Sequence, residues 1–74
     1  MSTPHHFRLR VAARVDASLA DLRELLADVQ AGDASPYEAL AVAKSVELFA
    51  ELVGGSALDR AAALRIRAEK LAFR

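Results

Sequence analysis

Ser18-Leu19-Ala20-Asp21, Ser35-Pro36-Tyr37-Glu38 and Ser56-Ala57-Leu58-Asp59 repeat one short pattern, a serine followed three residues later by an acid. A serine hydroxyl ahead of a helix accepts a hydrogen bond from a free backbone N–H, and the acid can return one. Pro36 strengthens the middle start, because a first helical position has no use for an N–H. Asp16 competes with Ser18 as the first cap. Gly32 and Gly54-Gly55 supply the matching stops, since glycine adopts the left-handed conformation that closes a helix. The punctuation predicts helices over about 17–31, 36–53 and 57–72 in one small domain.

Apolar spacing supports all three segments. In the first, Leu19, Leu22, Leu25, Leu26 and Val29 form a stripe opposite Asp21, Glu24 and Asp28. The second carries Ala39, Val42, Val46, Phe49 and Val53 in one row, with Ala41, Leu48 and Leu52 beside it. A helix apolar over so wide an arc packs against more than one neighbour. The third has Ala57, Ala61, Leu64, Ala68 and Leu71 facing one way and Arg60, Arg67, Lys70 and Arg74 the other.

Residues 7–15 read differently. Phe7, Leu9, Val11, Ala13 and Val15 alternate with Arg8, Arg10, Ala12 and Arg14. Period two is the mark of a half-buried strand. A helical reading also exists, because Phe7, Val11 and Val15 lie four apart and Ala12 and Ala13 favour helix, but it leaves Leu9 off the face. The strand is the expectation here, after a disordered arm at 1–6. A lone strand leaves its backbone unpaired, so the same strand of a second copy, antiparallel across a two-fold axis, is the expected partner. The expected fold is therefore mainly α, with a short strand, three helices and a homodimer. The alternative is an all-α three-helix bundle.

Composition narrows the function classes. The 74 residues include 17 alanines and no cysteine, which excludes disulfides and thiolate metal sites. A core this small and alanine-rich is worth only about 3–5 kcal/mol. His5 and His6 are adjacent in a polar terminus and share no face with a nucleophile. The carboxylate pairs at helical spacing, such as Glu47 with Glu51, lie on expected solvent faces. No enzyme chemistry, metal or cofactor is indicated. The polar start lacks the basic and apolar runs of a secretion signal, and the longest apolar stretch, Ala39–Ala43, is far short of a membrane span. A cytoplasmic protein with no membrane partner is expected. A basic amphipathic third helix at a membrane surface is disfavoured by its alanine face.

Net charge is zero but segregated. Residues 1–15 hold Arg8, Arg10 and Arg14 and no acid. Residues 16–53 hold eight acids against Arg23 and Lys44, and residues 54–74 hold five bases against Asp59 and Glu69. Local basic surfaces bind polyanions even on a neutral chain. The competing reading is that the basic ends simply neutralise the acidic middle.

Two stretches carry a resemblance. Arg10-Val11-Ala12-Ala13-Arg14-Val15-Asp16 follows a basic, any, hydroxyl, any, Arg pattern, with Ala12 in the hydroxyl position. Gly32-Asp33-Ala34-Ser35-Pro36-Tyr37-Glu38 resembles the opening of a second helix that clamps a phosphate. With a strand, a helix, a glycine turn and another helix over residues 8–53, the chain resembles the ribbon-helix-helix repressors and antitoxins. The resemblance implies DNA contact through Arg8, Arg10 and Arg14, entering the major groove from paired strands, and phosphate contact at Ser35. In an antitoxin of that kind the third helix binds the toxin, which implies Arg60, Leu64, Arg67, Lys70 and Leu71 as the partner-binding set. Ala12 departs from the family pattern and cannot hydrogen-bond a base, and Asp33 and Glu38 put negative charge at the clamp. The alternative function is a helical protein-binding adaptor or inhibitor that works through its helix surfaces. The candidate partners are thus a second copy, DNA and a protein.

Overall fold

Proline at the first position starts a helix that runs unbroken through the segment expected as a strand. The computed structural model describes residues 4–74, with the side chains of Phe7 and of residues 9–74. It consists of α1 (Pro4–Gln30), α2 (Pro36–Ala50) and α3 (Gly55–Ala72). Residues 1–3 of the expected N-terminal arm lie outside the described residues, and residues 4–6 belong to α1.

The strand expectation for residues 7–15 is corrected: the segment is helical, and no strand occurs among the described residues. Val11 and Val15 are buried in line with Leu19, Leu22 and Leu26, so one stripe continues for four turns. A helix satisfies its own backbone hydrogen bonds, whereas a single strand needs a partner. Leu9, which alternation would place beside Val11, is 56% exposed. The paired strands of the expected ribbon are absent with it, and the all-α three-helix alternative fits.

The capping pattern is corrected at two of three places. Ser35 is the N-cap of α2, its Oγ accepting from the Glu38 N–H at 3.4 Å. Asp16 and Ser18 lie inside α1 and start nothing. Gly54 caps α3, which leaves Ser56 within the first turn. The stops follow the glycines. At the end of α1 the Gly32 N–H reaches the Val29 carbonyl and the Asp33 N–H the Asp28 carbonyl, a Schellman closure that uses the positive φ of Gly32. After Ala50, residues 51–53 form tight turns rather than the last turn of α2.

Two contacts set α2 antiparallel to α3. The Tyr37 and Phe73 rings meet edge to face with centroids 6.5 Å apart, and Arg65 bonds Glu47 further along. That register carries Ala39, Ala43 and Ala50 to the levels of Ala72, Ala68 and Ala61. All six are buried, so small side chains let α2 and α3 approach closely. α1 provides the bulk: the largest fully buried side chains are Leu19, Leu22, Leu26 and Val15. The core face of α2 is accordingly Ala39, Leu40, Ala43, Val46 and Ala50. This corrects the expected row, of which Val42 and Val53 lie partly open to solvent.

Candidate interaction surfaces

Turning the core face of α2 toward its alanines leaves its bulkier side chains outside. Tyr37, Ala41, Leu48 and Leu52 recur at spacings of four and seven, so they share one side of α2 and the turn that follows it. Tyr37 is 65%, Leu48 66% and Leu52 57% exposed. Phe73, 67% exposed, extends this apolar surface from the end of α3 through its contact with Tyr37. Isolated exposed leucines are ordinary; here exposed apolar side chains recur along one side of α2, with exposed Lys44 among them, which makes this side a candidate surface. Sequence reasoning grouped Leu48 and Leu52 with a second packing face. The missed signal was arithmetic: two neighbouring helices cannot cover so wide an arc.

Beside this row runs a charged seam. The Arg65 Nε donates to both carboxylate oxygens of Glu47 at 3.0 Å, and its Nη1 donates to Glu69. These bonds, Glu47 first, raise the Arg65 pKa above the usual guanidinium value. The guanidinium ties α2 to α3 and is not available to a ligand.

The expected partner-binding set does not form one surface. Leu64 is buried, a correction to its expected role, because the three helices close over it. Leu71 is half-buried against the core. Arg60 donates to Asp16 Oδ1 at 3.2 Å and to the Ser56 carbonyl at 3.3 Å. Arg67 donates to Gln30 Oε1 at 2.8 Å. Both arginines thus bind α3 to α1. Lys70 is exposed.

The expected DNA-contact residues lie on the first turns of α1. Arg10 and Arg14 are exposed one turn apart, and neither forms an ion pair among the described residues. The Arg8 side chain lies outside the described residues. Ser35 spends its hydroxyl on the cap of α2. Arg10 and Arg14 border an open cleft of about 320 Å³ with Phe7 and Val11 of α1 and Phe49 of α2.

No cluster of three or more histidines or carboxylates able to hold a metal occurs among the described residues. Among them no helix is long and apolar enough to cross a membrane. The chain matches no known protein family, no curated protein and no solved structure.

Proposed function

We propose that this protein is a non-enzymatic three-helix binding module that recruits a partner protein on the outward side of α2. The observation that carries this reading is the row Tyr37, Leu48 and Leu52 with Phe73, each more than half exposed. An amphipathic helix of the partner, laid along the row, would bury these side chains at the usual helical repeats. The partner's contacting face is mainly apolar with a place for one acid, since exposed Lys44 lies on the same side of α2 between Ala41 and Leu48.

The test is selection of helical peptides against the full chain, followed by titration of the winners into wild type and the L48D/L52D variant. Binding that survives a tenfold rise in salt and is lost in the variant supports the reading. Peptides that bind the variant as well as the wild type overturn it. Light scattering reports whether the occupant is a second copy: the mass is then twice 7.9 kDa, and L48D/L52D halves it.

DNA binding through Arg8, Arg10 and Arg14 is the second reading, now from a helical rather than a ribbon surface. The exposure of Arg10 and Arg14 without a carboxylate partner among the described residues favours it. It requires affinity that falls steeply with salt and is lost in R10A/R14A.

A further inference from the structure

We propose that the cleft between the first turns of α1 and the end of α2 binds a small amphipathic anion, a carboxylate bearing one apolar chain or ring. This site is separate from the outward row of α2. Phe49 points to the α1 side of its helix, whereas Tyr37 and Leu48 do not.

The cleft has two chemically distinct parts. Val11, 6% exposed, and the half-buried Phe49 form an apolar floor, and Phe7 stands beside them at 60% exposure. Arg10 and Arg14 also line it. Aromatic surface facing an open cleft stays wet until something apolar covers it, and covering it is favourable in proportion to area. The arginines require the opposite chemistry. They lie at i and i+4, a spacing at which like charges repel, and residues 1–15 contain no acid to relieve them. Arg60, Arg65 and Arg67 all have oxygen partners on other helices. Arg10 and Arg14 have no ion-pair partner among the described residues. A carboxylate set between the two guanidiniums accepts charge-assisted bonds from both and cancels their repulsion, while its apolar group covers Phe7, Val11 and Phe49.

The volume guides the choice of probe. A cleft of about 320 Å³ is at the small end for organic ligands, and at ~30 Å³ per water-sized atom it takes on the order of ten non-hydrogen atoms. Octanoate has that size and both chemistries. For a ligand so small, a Kd of about 0.1–1 mM is expected from ordinary efficiency per atom.

The experiment is a titration of the isotope-labelled full chain with octanoate at low salt, read by amide ¹H–¹⁵N shifts. Saturable shifts confined to residues 7–14 and 47–50 are expected. R10Q/R14Q should weaken binding at least about fivefold through loss of the charge-assisted bonds. Phe7→Ser should weaken it too, and its exposed position keeps the fold intact. Octanol, which keeps the chain and lacks the charge, should bind more weakly than octanoate. Shifts at residues 37–45 and 52 with none at 7–14, unchanged affinity in R10Q/R14Q, or no saturable shift up to 20-fold above the expected Kd would each overturn the proposal. A Phe7→Ser protein that binds octanoate normally also overturns it, because a purely ionic surface does not need the ring.

Discussion

The guanidinium of Arg65 on α3 is shared between Glu47 on α2 and Glu69 one turn along its own helix, with Nε 3.0 Å from both Glu47 oxygens. This is the one ion-pair network among the described residues that spans α2 and α3, and with the Tyr37–Phe73 ring contact it holds their register. The pair is partly open to water, so solvent screens it and its value is modest. Reversing one charge, as in Glu47→Lys or Arg65→Glu, should lower the urea midpoint. The double reversal should recover part of that loss. A double variant no more stable than the sum of the single losses would show that the two residues are not coupled.

Backbone NMR tests the first turns of α1 directly. Cα shifts over residues 7–15 should be helical, and shifts of extended sign would restore the strand. Ala13 is exposed and mid-helix, so Ala13→Gly should cost about 1 kcal/mol in thermal or urea unfolding.

Leu22 and Leu48 separate the inside from the outside. Leu22 is fully buried on α1, and Leu22→Ala should cost about 2–5 kcal/mol. Against a total of about 3–5 kcal/mol for a domain of this size, that variant should be largely unfolded by circular dichroism. Leu48→Ser removes an exposed side chain and should stay within about 0.5 kcal/mol of wild type. Equal losses for the two would mean that something in the protein covers Leu48.

The alanine seam predicts intolerance of bulk. Ala43 and Ala68 have no exposed surface, and replacing either with Leu should cost about 1–3 kcal/mol by forcing α2 from α3. Ala41→Leu, on the exposed side of α2, is the control and should be tolerated. If Ala43→Leu is tolerated as well, the close approach of the helices is wrong.

Gly54 joins α2 to α3 at φ +74° and ψ −165°. Only glycine takes that conformation freely, so Gly54→Ala should cost about 1–3 kcal/mol. Nothing crowds the position, so the loss comes from backbone strain alone. Urea unfolding measures it, and an unchanged midpoint would mean that the turn has another conformation.

Three helical segments, the Gly32 stop, the Ser35-Pro36 start and the leucine stripe of α1 are legible from the residues alone, because these rest on local hydrogen bonding and a period of 3.6. The basic rim at Arg10 and Arg14 was legible as charge without a nearby acid. Tertiary structure decided the rest. Residues 7–15 fit both periods, and what settles them is continuity with a stripe that α2 and α3 bury. Asp16 and Ser18 look like caps locally but lie mid-helix for the same reason. In α2 the choice between packing Ala43 and packing Leu48 inward depends on how closely α3 approaches, which no local pattern encodes. Because small side chains won the inside of α2, Tyr37, Leu48 and Leu52 were left outside. The exposed apolar row is a consequence of how the helices pack.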